Sequence, residues 1–162
     1  MSQTFRIEFS GNLEQVLAFD EGRFMHAVER KMGALFDRLQ EKIVAGKLSG
    51  EVLNRRSGLL AGSVTDPEIT IEGTNVTGSI TAAAAPAKYG IVHELGGSRA
   101  YTIQPVDKRA LRMMLGGKEG FRKMIQHPPL PQRSFFDSSV EEMKSEFLEG
   151  LREAVIEGIS GE

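Results

Sequence analysis

The sequence predicts an α+β fold, and three observations carry that expectation. Strict alternation of apolar and polar residues over 4–9, and again through 67–82, marks strands with one buried face. Two long segments, 20–45 and from Ser138 onward, repeat apolar residues at helical spacing. Strands and helices do not alternate regularly, which argues against a doubly wound parallel sheet. The expected architecture is a mainly antiparallel sheet with two long amphipathic helices packed on one face and an extended Gly/Pro-rich loop region. The 162 residues fit one domain, 1–162.

Taken in order, Phe5, Ile7 and Phe9 share one face of the first strand, which Gly11-Asn12 ends. Leu13, Val16, Leu17 and Phe19 fit a short helix or an irregular passage equally well. In the first long helix Met25, Val28, Met32, Leu35, Phe36, Leu39 and Ile43 form the apolar stripe. Asp20 is placed to cap it and Gly46 to end it. The Met and Phe stripe is read as core packing.

Over 47–64 three glycines weaken the periodicity of Leu53, Leu59 and Leu60, and a short helix entered by a turn at Ser57-Gly58 is expected. Adjacent Arg55 and Arg56 face different ways on a helix, which favours a solvated pair or an intersubunit salt bridge over a phosphate site. Ile69 and Ile71 lead into a turn at Gly73-Thr74-Asn75, and 76–82 returns as the second strand of a hairpin. Ala82, Ala83, Ala84 and Ala85, then Pro86, are small enough to lie against another backbone, in the same subunit or a neighbour.

The stretch from Tyr89 to Phe136 organises the chain. It opens as Tyr89-Gly90-Ile91-Val92-His93-Glu94-Leu95-Gly96-Gly97 and closes as His127-Pro128-Pro129-Leu130-Pro131-Gln132-Arg133-Ser134-Phe135-Phe136. Between these, 99–103 reads as a strand ended by Pro105, 110–115 as a strand or a helical turn, and 116–120 as a flexible tip. Residues 121–125 then pair back or form another turn. In the last helix Ser138 and Ser139 each precede an acid by three residues, two overlapping capping boxes. Val140, Met143, Phe147, Leu151 and Val155 make its stripe, and Ile159 and Gly161 lie in a tail expected to fray.

Composition narrows the chemistry. Cysteine is absent, which removes disulfides, thiolate nucleophiles and Cys-based zinc sites. The formal net charge is −2, so no overall basic balance recruits nucleic acid or anionic lipid. No apolar run approaches the ~20 residues that span a bilayer, and the N-terminus has no signal-peptide core. His93-Glu94 begins like a zinc-protease helix, but Gly97 stands where the second histidine belongs. Nothing in the spacing makes His26 and His127 converge with His93. Gly62-Ser63 fails the nucleophile elbow on both sides, and Gly116-Gly117-Lys118 lacks the spacing of a phosphate loop. No catalytic, cofactor-binding or metal-binding residue is therefore assigned. Glu94 is expected to be structural, orienting a loop through backbone N–H groups or a basic partner.

Four pieces, in order, carry a family resemblance. Ser57-Gly58-Leu59-Leu60-Ala61-Gly62-Ser63-Val64 resembles the Thr/Ser-Gly-x-Leu-x-x-Ser-aliphatic segment of the tail-completion (neck) proteins of long-tailed bacteriophages, among them the virion-morphogenesis proteins of Mu-like phages. The segment from Tyr89 to Gly96 resembles their aromatic-x-x-x-His-x-Leu/Phe-Gly piece. Ile103-Gln104-Pro105 with Ala110-Leu111 resembles the next signature, and His127-Pro128 through Phe136 the last. Pro129 departs from the usual Gly, and Ser134 stands where a second Pro is common.

The resemblance implies structural work without catalytic residues. Such a protein is a virion subunit, assembled in the host cytoplasm, that forms a ring, sixfold by resemblance, at the head-proximal end of the tail. Its partners are copies of itself, a tail terminator or tail tube protein, and a head-completion or connector protein. Genomic DNA passes through the lumen without sequence-specific binding, and no membrane is involved. Candidate interaction residues are Tyr89, His93, Glu94, Arg99, Arg133, Phe135 and Phe136. On the extended 128–136 path, one of Phe135 and Phe136 is expected to anchor the last helix near Met143. The other is expected to face the sheet or a neighbouring subunit, with Arg133 paired to an acid. A DNA-binding accessory protein, with a basic face from Arg55, Arg56, Arg99, Lys108, Arg109 and Arg112, and a small metal-dependent hydrolase are the alternatives.

Overall fold

The N-terminal alternation forms the edge of an antiparallel sheet. The computed structural model describes residues 2–9, 20–84, 87–97, 99–106 and 109–160. Strand β1 (Gln3–Phe9) pairs with β3 (Asn75–Ala82), and β2 (Glu68–Glu72) pairs with the other side of β3. The register sets Phe5 opposite Ile80 and Ile7 opposite Gly78. Gly78 is required by its neighbour: a Cβ there would stand 2.4 Å from Cε2 of Phe36, so bare backbone admits that ring against the sheet.

Phe36 comes from α1 (Glu21–Glu41), capped as expected by the Asp20 side chain, which accepts from Arg23 N–H at 3.1 Å. Its stripe from Phe24 to Leu39 is buried. The helix does not end at Gly46 with a left-handed turn. It widens into a π turn (Lys42–Gly46) and a 3-10 turn (Lys47–Ser49), and the positive φ falls at Gly50, +135°. The wider turn keeps Ile43 and Leu48 both in the core, and it buries Lys47 where its ammonium reaches Glu51 and, at 2.7 Å, Glu142.

The last helix, α3 (Asp137–Ser160), lies antiparallel to α1. A ladder of ion pairs records the register: Arg30 with Glu157, Lys31 with Glu153 at 2.6 Å, Arg38 with Glu146, and Lys42 with Glu142 at 2.7 Å. Exposed pairs of this kind each contribute about 0.2–1 kcal/mol, so the buried stripe rather than the ladder holds the helices together. Phe5, Phe36 and Phe147 meet with centroids 5.4–5.6 Å apart and join the sheet and both helices in one core.

Antiparallel pairing is seen throughout, but not in one sheet. Two further two-stranded pieces stand apart from the first: β4 (Tyr101–Ile103) with β7 (Ile125–His127), and β5 (Leu111–Leu115) with β6 (Lys118–Arg122). The expected extended loop region is thus corrected. It carries these four strands and a short helix, α2 (Gly90–Leu95), and among the described residues only 128–136 of it runs without helix or strand at length. Residues 110–115 are strand rather than helical turn. The Gly116-Gly117 pair, with φ of +55° and +81°, supplies the two-residue turn that a tight hairpin demands.

Two other expectations change. The helix expected near Ser57 is only a 3-10 turn, Ala61–Ser63. There Ser63 Oγ donates to Leu60 O at 2.7 Å and accepts from Ala83 N–H at 3.2 Å, tying this segment to the end of β3. The small residues Ala82, Ala83 and Ala87 are buried within their own chain, Ala83 with a positive φ of +56°. The expectations for Gly11-Asn12, for 13–19, and for Ala85, Pro86, Lys108 and Gly161 lie outside the described residues, as do the side chains of Phe9 and Leu115.

Candidate functional site

The site is the junction of α2 with the 130–137 segment, and local chemistry builds it from both sides. Three prolines at 128, 129 and 131 keep the second segment extended. On the other side α2 ends at Gly96, whose φ of +72° stops the helix. A Cβ at Gly96 would lie 3.0 Å from the Gln132 backbone nitrogen, so the two main chains meet only because this position is bare. They join through Arg133 N–H to His93 O at 2.7 Å and Gly97 N–H to Leu130 O at 2.9 Å.

Glu94 lies between them, 0% exposed. Its Oε2 accepts from the backbone N–H groups of Phe135 at 2.8 Å and Phe136 at 3.0 Å. Its Oε1 accepts from Asp137 N–H at 3.0 Å and from the Ser134 hydroxyl. Ser134 Oγ in turn accepts from Ser138 N–H at 3.1 Å. The orphan donors at the start of α3 are therefore satisfied by an acid from another element, together with one serine just before the helix.

This corrects the capping expectation. Ser138 and Ser139 sit inside the first turn, and their hydroxyls donate backward to Ser134 O at 2.8 Å and Phe135 O at 2.7 Å. Asp137, exposed beside this carboxylate, has its pKa raised, first by burial of its carboxyl and then by the charge of Glu94.

Phe135 and Phe136 are both buried, at 0% and 2% exposure, so neither faces a neighbouring subunit. The Glu94 oxygens hold their two N–H groups together and turn the chain into α3, which removes the alternation of an extended path. Phe135 reaches back to α2: a Cβ on Gly90 would stand 3.6 Å from its ring, 2.5 Å from Leu60 Cδ1 and 2.8 Å from Ala83 Cβ.

Beside this junction opens a cleft of about 690 Å³ with an apolar base that includes Leu48, Leu53 and Leu60. Arg55, Arg56 and Arg133 line it together with Tyr89, His93 and His127, and among the described residues no carboxylate does. Among the described residues Arg133 is not paired with an acid, contrary to expectation, and Arg55 and Arg56 have no acidic partner either. Tyr89 is exposed and meets the His93 ring edge-on at 6.2 Å. The pKa of His93 is lowered, first by burial and then by the Arg133 guanidinium. His127 donates its Nδ1–H to Pro128 O at 2.8 Å and stacks on Tyr101 at 4.9 Å.

The structure thus brings together Tyr89, His93 and Arg133 at the cleft, and Glu94, Phe135 and Phe136 at the junction. Arg99 is exposed and lines neither. His26 stands on the outer face of α1, where it contacts Glu29, and shares no site with His93. Sequence reasoning missed Ser134, which its place one residue before two aromatics and a helix start could have signalled. Among the described residues no group of three His, Cys, Asp or Glu side chains is placed to hold a metal ion, and no helix is long and apolar enough to cross a membrane. No family model, curated protein or solved structure matches the chain.

Proposed function

We infer that the chain is a non-enzymatic structural subunit of a phage virion, a tail-completion or neck protein that joins head to tail as part of a ring. The observation that carries the reading is the bonding of Glu94 to the 134–137 segment. The two most distinctive pieces of the ordered resemblance, 89–96 and 127–136, are far apart in sequence and bonded to each other in space. That supports reading them as one structural device rather than as chance similarities. A carboxylate whose two oxygens are both filled by buried donors is a poor general base, because it has no lone pair turned to a substrate. This supports a load-carrying role for Glu94 over a chemical one.

The fold suits the task. The helices and sheet share a packed core, while the 101–127 region presents exposed apolar side chains such as Tyr101, Met114, Phe121 and Met124 that a partner can cover. The partners are further copies, a tail terminator or tube protein, and a head-completion or connector protein. The test is genetic: without this chain, filled heads and finished tails accumulate separately, and purified protein restores joining. Joined, infectious particles formed in its absence would overturn the reading.

One observation favours a second reading, a DNA-binding accessory protein. The β5–β6 ribbon carries Arg112, Lys118, Arg122 and Lys123 exposed against one acid, Glu119, which pairs with Arg112. Duplex binding that falls steeply with salt and is lost on neutralising Lys118, Arg122 and Lys123 would favour it.

A further inference from the structure

Two regions of opposite charge lie along β3: arginines at its C-terminal end, and acids spaced along its hairpin partner β2 as far as the turn. At the C-terminal end of β3, Leu60 abuts Ala83 and Gly90, and the cleft it lines holds Arg55, Arg56 and Arg133 without an acid among the described residues. At the N-terminal end of β3 is the β2–β3 turn, where Glu72 stands opposite Asn75; Glu68 lies opposite Ser79, and Asp66 is further back, beside the C-terminal end of β3. The segment 66–77 holds Asp66, Glu68 and Glu72 and no basic residue. Asp66 accepts from Gln40 Nε2 at 3.0 Å, while Glu68 and Glu72 are exposed and have no cationic partner among the described residues. Beside Glu72, Ile71 is exposed, on a strand whose outer edge is unpaired among the described residues. The seven steps from Asn75 to Ala82 set the two ends about 23 Å apart along the strand.

We propose that the β2–β3 hairpin of one copy docks on the arginine cleft of the next, head to tail. Two exposed acids without a cationic partner among the described residues, Glu68 and Glu72, face three guanidiniums. The cleft offers an apolar base for Ile71, and guanidiniums take carboxylates in paired hydrogen bonds. Because the two surfaces differ, the contact is heterologous. It repeats from copy to copy and gives a ring if the rotation closes. Burial and then Arg133 disfavour the charged form of His93, so the arginines carry the attraction. This inference rests on the ring reading above and names the two faces that make the ring.

Sedimentation of the purified chain at high concentration, in low and high salt, tests the contact. The parent self-associates, and salt weakens it. Glu68→Gln with Glu72→Gln, and separately Arg55→Gln with Arg56→Gln, each weaken association by roughly tenfold or more while melting like the parent. Mixing the two double variants gives a complex that stops at one of each, since one retains the cleft and the other the hairpin. The chain has no cysteine of its own, so Ser57→Cys and Thr74→Cys in one chain yield a cross-linked ladder, whereas the mixed single variants yield only dimers.

A parent that stays monomeric, or variants that associate like it, would overturn the contact. So would an arginine variant whose only loss is binding to duplex DNA, since the cleft would then serve phosphate. A symmetric ring in particles carrying Glu68→Gln and Glu72→Gln would overturn this contact and leave the ring reading standing. Absence of any ring in parent particles would remove both.

Discussion

Glu94 and Phe135 are 41 residues apart, yet the buried carboxylate of one accepts the backbone N–H of the other at 2.8 Å. Around that bond the chain closes a structural loop: α2 on one side, the start of α3 on the other, and Gly96 allowing the two backbones to touch. The acid does for α3 what a local N-cap usually does, and it also fixes where α3 begins relative to the cleft.

Glu94→Gln tests this directly. An amide cannot accept on both ends, so its NH₂ confronts N–H groups that then lie buried without an acceptor. The loss expected is about 2–4 kcal/mol, and Glu94→Ala costs at least as much. Chemical denaturation of both variants checks it. If Glu94→Gln unfolds at the parent's midpoint, the carboxylate is not the tie described here.

Phe135→Ala and Phe136→Ala should both lower the melting temperature, because both rings are buried in the core. Truncating a core Phe costs about 3–5 kcal/mol. The sequence places one of the two against the last helix and the other against the sheet or a neighbouring subunit; burial of both removes the neighbouring-subunit placement, and a variant that melts like the parent would restore it.

Asp137 gives a pH dependence with a definite sign. Its pKa is raised above 3.8, so the folded chain holds that proton more tightly than the unfolded chain does. Its contribution favours folding below 3.8 and is lost as pH rises through the folded pKa. Asp137→Asn removes that loss, so the variant melts higher than the parent at pH 7, and the difference vanishes in acid. Thermal melts across pH 3–8 read it. A lower melting temperature at pH 7 would mean that attraction to the helix N-terminus outweighs burial and Glu94.

His93 runs the other way. With its pKa lowered below 6.5, its contribution is full above 6.5 and is lost as pH falls towards the folded value, because the unfolded chain takes the proton first. Arg133→Gln removes the second cause and leaves burial in place. An NMR titration of the imidazole should show the pKa rising partway to 6.5, and no movement would place Arg133 away from the ring.

Much of the frame was legible in the residues. The alternation around Phe5 and Ile7, the Asp20 cap, the α1 stripe and the 68–82 hairpin depend on neighbours a few positions away, and local periodicity records such things. What escaped depends on distant partners. Ser138 and Ser139 carry a capping signature, but Glu94 reaches the helix start from 43 residues upstream and leaves their hydroxyls to bond backward. Phe135 and Phe136 read as alternating because nothing local shows that a carboxylate gathers their N–H groups. Arg55, Arg56 and Arg133 share a cleft only because the 3-10 turn at Ala61–Ser63 ties one segment to β3 and α2 holds the other.

Electron cryo-microscopy of the intact particle tests the central claim most directly. Density for this chain is expected in one closed, symmetric ring between the head and the head-proximal end of the tail, sixfold by resemblance, with Glu94 buried in each copy. A particle whose neck density is fully built from other chains, with no copy of this one, would contradict it.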